Sequence, residues 1–213
     1  MSTTDPHAIA TQLRQGAPGA NASSEHAARA AQRVSAHAAQ ARLADVSYAP
    51  VDSPLGNLLV AATKRGLVQV AFPEQQVDTV LDELAARISP RIIESPASLD
   101  PIRRELDEYF AGTRRNFDLA LDWALIGPFA KRVLHATHDI PYGHTLSYAE
   151  VATHAGSPRG SRAAGNALGS NPLPIVIPCH RVLRSGGALG GYAGGLDKKR
   201  WLLGLEGALA PHP

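Results

Sequence analysis

An α/β (α+β) fold is predicted: a small N-terminal antiparallel sheet with helices, then a mainly helical C-terminal domain with a winged helix-turn-helix-like motif. Three observations carry that expectation. Short apolar runs alternate with turn signals between residues 46 and 72, two apolar stripes at helical spacing follow, and helix-start signals recur beyond Gly127-Pro128. The divisions expected are a tail over 1–44, a sheet-and-helix domain over 45–126 and a second domain over 127–213.

The tail is rich in Ala, Gln, Ser and His and has no aromatic residue, so it has little to bury. Glu25 to Leu43 holds good helix formers without a clear apolar stripe. Val46–Val51, Asn57–Ala62 and Leu67–Phe72 are apolar runs separated by Ser-Pro-Leu-Gly and Thr-Lys-Arg-Gly turns, which predicts an antiparallel meander. Val77, Val80, Leu81, Leu84 and Ile88 share one helical face. Leu99, Ile102, Leu106, Tyr109 and Phe110 mark a second helix begun by Ser98, and Phe117, Leu119, Leu121 and Trp123 alternate like a strand. Nothing in this half gathers catalytic groups.

Pro128 is placed to open a helix in which Phe129 and Val133 share a face. Ile140 to His144 reads as a turn, and Ser147-Tyr-Ala-Glu150 fits a capping box that puts Tyr148 at a helix start. Ser157-Pro158 signals another start and Gly169 a stop, so two short helices flank a tight turn at Ala155 to Ser157. On the second helix Ala164 and Leu168 face inward, while Arg162, Gly165, Asn166 and Gly169 share a nearly bald outer face. Such a face lets the backbone approach a partner closely, with Arg162 reaching to bases or phosphate; tight helix packing with a solvated arginine is the other reading. Asn171-Pro-Leu-Pro leads on in extended form to Ile175, Val176 and Ile177, which look like a buried strand. Six of the ten residues from Gly186 to Gly195 are glycine, without dinucleotide or Walker spacing, so a flexible or close-approach wall is expected. Asp197 can cap a last helix that carries Trp201, Leu202, Leu205 and Glu206.

At 213 residues and 44% apolar composition the chain can fill real cores. It shows no secretory leader and no apolar run near the roughly 18 residues of a membrane span. Its single cysteine allows no internal disulfide and no multi-cysteine zinc site, which reads as an intracellular, reduced protein. The net charge of +2 divides unevenly: residues 1–126 carry 12 basic and 15 acidic groups, residues 127–213 carry 9 and 4. A basic half is a pointer to polyanions such as nucleic acid, and ordinary solvated surface explains it nearly as well.

The cysteine lies in Pro174-Ile-Val-Ile-Pro-Cys179-His-Arg-Val182. Free cysteines often pack as small hydrophobes. Reactivity needs the thiolate, hence a cation or a paired base; His180 and Arg181 are suitable neighbours, His180 only if the chain turns at Pro178 or a water bridges. An acid such as Glu206 could orient the imidazole. His135 and His138 stand three apart on a helix, short of the three or four ligands zinc normally takes.

Ser147-Tyr148, the Arg162-Ala-Ala-Gly165 helix, Gly169-Ser-Asn171-Pro, Pro178-Cys-His-Arg-Val182, Gly191-Tyr-Ala-Gly-Gly195, Trp201-Leu-Leu and Glu206-Gly together resemble the O6-alkylguanine-DNA alkyltransferases. The likeness spans roughly residues 127–207, in order and at the family's spacing; the N-terminal half matches in outline. It implies DNA repair in which Cys179 takes an alkyl group from O6-alkylguanine, with O4-alkylthymine as a second substrate, in one irreversible, single-turnover step without cofactor or metal. By the same likeness His180 deprotonates Cys179 through a water, Glu206 orients His180, Asn171 holds the active-site turn and Tyr148 donates to the departing base. Arg162 fills the gap in the duplex, with Ala163, Gly165, Asn166 and Gly169 on the DNA-facing helix. Val182, Tyr192 and Ala193 line the base pocket with Tyr148. The implied partner is double-stranded DNA, entered from the minor groove with the alkylguanine flipped, by a cytoplasmic monomer, nucleoid-associated if prokaryotic.

The sequence lacks the ligands for the zinc site of some animal relatives, and no four-cysteine sensor domain precedes the match. Catalytically dead relatives replace the nucleophile, which here is Cys179. Two rivals remain: a lesion-binding module that marks alkylated DNA without reacting, and a Cys-His hydrolase with no nucleic-acid role.

Overall fold

The computed structural model of the chain describes residues 29–30 and 44–209. The expected tail, with its helical stretch Glu25 to Leu43, falls outside them except for Arg29, Ala30 and Ala44. Strands β1 (Val46–Val51), β2 (Leu58–Thr63) and β3 (Gly66–Ala71) form the antiparallel meander expected, pairing Val51 with Leu58 and Thr63 with Gly66. A short strand that the sequence did not reveal, β4 (Ile92–Glu94), adds to β1 in parallel, giving the order β3-β2-β1-β4.

Period-2 alternation sends the two sheet faces to different cores. Leu59, Ala61, Val68 and Ala71 meet Val80 and Leu84 of helix α1 (Val77–Arg87). Leu58, Val60, Val70 and Phe72 meet Leu106 and Tyr109 of helix α2 (Asp100–Phe110), and the same core continues into Val133, Ile175, Cys179 and Leu202. The sheet therefore packs directly on the segment that holds the cysteine. A main-chain bond from Val70 N to Pro172 O, 2.8 Å long, joins them as well.

The C-terminal half comprises helix α3 (Pro128–His138), strand β5 (Leu146–Ser147), helices α4 (Tyr148–His154) and α5 (Ser161–Gly169), a 3₁₀ turn (Cys179–Arg181), strand β6 (Val182–Leu183) and helix α6 (Gly195–Leu205). β5 and β6 pair in parallel beside the α4–α5 helix-turn-helix. The capping box is complete: Ser147 Oγ accepts from Glu150 N at 3.2 Å, and Ser147 N donates to Glu150 Oε2 at 2.7 Å.

Several local expectations are corrected. Phe117 to Trp123 is an extended segment with a single bridge, Leu67 to Leu121, because β3 reaches it only at Leu67, which bonds Ala120 and Asp122. Asp122 is turned instead to Thr63 at 2.5 Å and Arg65 at 3.1 Å. Residues 171–178 form a buried turn rather than a strand, closed by Ile177 N to Leu173 O at 2.8 Å, with Ile175 at φ 74°. Ser98 lies within a 3₁₀ turn (Pro96–Leu99) that precedes α2. Pro158 sits in a turn closed by Gly160 N to Ser157 O, so α5 starts at Ser161. Asp197 stands inside the first turn of α6, paired with Arg200 at 2.7 Å, and Gly194 takes the cap position. Val77, assigned to the apolar stripe of α1, is 47% exposed.

Gly66 closes the β2–β3 turn at φ +133°, and a Cβ there would lie 2.1 Å from Ala120 O. Backbone, not a movable side chain, occupies that space. Gly66→Ala is expected to cost about 2–3 kcal/mol, read as a lower urea midpoint, whereas Gly112→Ala, with open space around it, should lose less.

Candidate active site

The site is built around a buried carboxylate. Glu206 follows the last turn of α6 and is 5% exposed. Its Oε1 accepts from Tyr109 Oη at 2.6 Å, His180 Nε2 at 2.9 Å and Arg181 Nη2 at 2.9 Å, and its Oε2 accepts from Arg181 Nε at 2.8 Å and Gly143 N at 3.4 Å. Burial alone would push this carboxyl up, but the bonds from His180 and Arg181 outweigh it and hold the group at about 2. An ionised carboxylate cannot donate, so His180 must carry its proton on Nε2. That leaves Nδ1, buried and without a hydrogen-bond partner among the described residues, as an acceptor. Burial also pushes the imidazole pKa down, against the upward pull of Glu206, which favours the neutral ring.

Cys179 opens the 3₁₀ turn just beyond Pro178 and is 5% exposed. Asn171 fixes the preceding turn: its Nδ2 donates to Ile177 O at 3.0 Å and to Cys179 Sγ at 3.2 Å, while its Oδ1 accepts from Leu173 N at 3.0 Å. Burial pushes the thiol up to about 11, opposed by the Asn171 bond and the charge of Lys199. Lys199 is fully buried on α6, donates to Val182 O at 2.6 Å, and is pushed down to about 8 by that burial. At rest, then, thiol and imidazole are both neutral.

Cys179 faces a cleft of about 590 Å³, walled by α4, α5 and the glycine-dense loop and lined by Tyr148, Arg162, Gly165, Arg184, Tyr192 and Ala193. Tyr148 leans across it: a Cβ at Gly190 would lie 2.2 Å from its hydroxyl, so only glycine at 190 leaves room for the phenol. Burial raises the Tyr148 pKa, the Cys179 charge adds to that rise, and Arg184 offsets part of it. The phenol thus remains a donor at the cleft wall.

Two family models cover most of this architecture: 6-O-methylguanine DNA methyltransferase, ribonuclease-like domain, over residues 46–123, and 6-O-methylguanine DNA methyltransferase, DNA binding domain, over residues 128–208. The methylated-DNA–protein-cysteine methyltransferase of Methanosarcina acetivorans is 40% identical over 162 residues, 76% of this chain and 98% of that protein. The chain belongs to the 6-O-methylguanine DNA methyltransferase family. The protein of the same name from Mycolicibacterium paratuberculosis is also 40% identical, over 78% of this chain and 95% of its own length. A crystal structure of Mycobacterium tuberculosis OGT in complex with DNA superposes with a TM-score of 0.66 at 39% identity, covering 76% of this chain and 93% of that one.

Of the residues that the resemblance singled out, Cys179, Tyr148, Arg162, Gly165, Gly169, Tyr192 and Ala193 line the cleft. His180, Asn171 and Glu206 stand behind the thiol, and Ala163 and Asn166 lie on the exposed face of α5 without lining the cleft. Val182 is fully buried, its carbonyl holding Lys199. Arg181 was read as a cation beside the thiol; its guanidinium turns the other way, to Glu206 and to Ile140 O at 2.5 Å, and the cation acting on Cys179 is Lys199. The sequence reading also missed Tyr109 and Arg184. Tyr109 contradicts the expectation that the N-terminal half gathers no group at the site, and its only signal was a place in an apolar stripe. His135 stacks on Trp123 with ring centroids 4.0 Å apart, and among the described residues no group of three or more His, Cys, Asp or Glu could hold a metal ion.

Glu206→Gln should cost about 3–5 kcal/mol in denaturant unfolding at neutral pH, because the buried Arg181 guanidinium loses its countercharge. The folded pKa of Glu206 lies below the unfolded value, so its contribution is present above about 4.5 and lost as pH falls toward about 2. Acid unfolding curves of wild type and Glu206→Gln should therefore converge across that window.

Proposed function

We propose that this chain repairs alkylated DNA by moving the alkyl group of O6-alkylguanine onto Cys179 in one irreversible, stoichiometric step, with O4-alkylthymine as a second substrate. The carrying observation is a thiol at the cleft wall, held by Asn171, with an imidazole beside it in sequence whose Nε2 is bound to Glu206 and whose Nδ1 has no partner among the described residues. In the reaction an S–C bond forms as the C–O6 bond breaks, and the net proton of the thiol passes to the guanine. His180, through one water, takes the thiol proton. Tyr148 donates to the departing base. Lys199 stabilises the thiolate as it forms, since a cation in a desolvated site acts more strongly than in water.

A base inside the stack cannot meet a thiol at the wall of a cleft, so the target nucleotide is extruded into it, and the bald face of α5 approaches the minor groove. Arg162 on that exposed face fills the vacated stack, with Ala163, Gly165, Asn166 and Gly169 allowing close backbone approach. The protein acts as a monomer in the cytoplasm, on the nucleoid if its source is prokaryotic. No helix of the described residues is long and apolar enough to cross a membrane.

Incubation with duplex DNA containing O6-methylguanine is expected to leave one methyl on the Cys179 peptide, read by mass spectrometry, with repaired guanine equal in amount to protein. Cys179→Ala should bind the same DNA and transfer nothing. Wild-type binding without a methylated peptide would instead support a non-reacting lesion-binding module, and multiple turnover on an ester would support a hydrolase. Arg162→Ala should slow repair in duplex DNA on the order of tenfold, by loss of the group that offsets unstacking. Its reaction with free O6-benzylguanine should keep the wild-type rate; equal losses on both would remove Arg162 from base extrusion.

A further inference from the structure

Glu206 Oε1 is shared by three donors, and one of them, Tyr109, comes from the N-terminal half of the chain. Tyr109 is fully buried on α2, 97 positions from its acceptor, with its ring against Phe117 at 5.2 Å and Tyr142 at 6.3 Å between centroids. From this geometry we infer that Tyr109 is a positioning residue for alkyl transfer: its hydroxyl fixes Glu206 Oε1 and limits how strongly that oxygen pulls on the Nε2 proton of His180. The inference rests on the transfer reading above. It assigns a role in the chemistry to the half of the chain that the family description calls ribonuclease-like.

The hydroxyl has one direction available to it. Burial and the adjacent carboxylate raise the Tyr109 pKa, so the phenol donates and the carboxylate accepts. A carboxylate oxygen that already holds a short bond from a phenol has less negative charge to offer a second donor, and the imidazole behind that second bond is correspondingly less basic at Nδ1. Without the hydroxyl, Oε1 would bind His180 more strongly and the ring would protonate at higher pH. A protonated Nδ1 cannot take the thiol proton. The other groups facing the pair are Arg181 and Lys199, which pull the imidazole pKa down, Tyr142, whose hydroxyl donates to Leu205 O at 3.0 Å, and Tyr192, whose ring stands 6.3 Å from that of His180. None of these last two tyrosines bonds the carboxylate.

The test measures the rate of transfer from free O6-benzylguanine to Cys179 against pH, together with the 15N titration of the His180 ring, which needs no reaction. In Tyr109→Phe the acid limb of the rate profile and the His180 titration should both move up by about 0.5–1 pH unit. Replacing Tyr109 by 3-fluorotyrosine, a stronger donor of nearly the same shape, should move both down, and it preserves the hydroxyl should Tyr109→Phe fold poorly. Tyr142→Phe, which removes a neighbouring half-buried hydroxyl that bonds Leu205 O and not Glu206, should lower the melting temperature without moving either curve. Loss of stability in Tyr109→Phe with both curves unmoved, or the same direction of shift for phenylalanine and fluorotyrosine, would overturn the inference. If wild type transfers no methyl group from O6-methylguanine DNA either, the transfer reading fails, and the His180 titration still decides whether Tyr109 tunes the ring.

Discussion

A carboxylate out of water is tolerable only if its lone pairs are filled, and that requirement at Glu206 sets the arrangement of most of the molecule. The donors are four residues from three separate places: α2, the turn after α3, and the two residues that follow the cysteine. Each must arrive with its hydrogen aimed at one of two oxygens. The end of α6 is thereby registered against the sheet-bearing half, and the 3₁₀ turn is registered against both. Tyr142 adds an apolar brace, its ring packed against Tyr109 and beneath the Arg181 guanidinium at 5.8 Å. Packing between the halves and orientation of the imidazole are consequences of the same group of bonds.

The thiol depends on that arrangement in a less obvious way. Burial keeps Cys179 protonated, near 11, and keeps His180 neutral, so the two do not form a standing ion pair. For a residue proposed to react once this is protective, because oxidation follows thiolate character and exposure. The countercharge is nevertheless at hand. Lys199 is held under Val182 O, close enough for its charge to act on the thiol, and its own pKa near 8 shows what that burial costs the cation. A thiolate and the Lys199 cation offset part of each other's burial, which lowers the cost of proton loss from Cys179.

What the sequence made legible was local or carried by family motifs. The Ser147–Glu150 capping box needs only three-residue spacing, and the β1–β3 meander needs only turn chemistry and apolar runs, so both were readable without tertiary information. The Ile175-Val-Ile177 run was misread because a short apolar stretch does not distinguish a strand from a buried turn. The side-chain bonds of Asn171 decide it, and they depend on an acceptor six residues away. Arg181 was misassigned since adjacency in sequence to Cys179 does not fix direction on a tight turn. Lys199 sits in an Asp-Lys-Lys-Arg run that reads as solvated charge, and Tyr109 in a stripe that reads as core. Their roles depend on partners 17 and 97 positions distant, beyond any pattern of local spacing.

The glycine-dense loop shows how a composition acquires meaning from long-range contacts. Its signal in the sequence allowed flexibility or close approach, and the aromatic neighbours decide between them. Gly190 is where the Tyr148 phenol comes in from α4, and at Gly194 a Cβ would meet the Phe72 ring at 2.9 Å, just beyond β3. Between them Tyr192 packs edge-on to Phe72, with centroids 5.6 Å apart. The loop therefore packs against one ring from each half of the chain where it walls the cleft that Cys179 faces. A side chain at either glycine would move the wall by displacing a ring. The width of the cleft in front of the thiol, like the basicity of the imidazole behind it, is set jointly by the sheet-bearing half and the helix-turn-helix half.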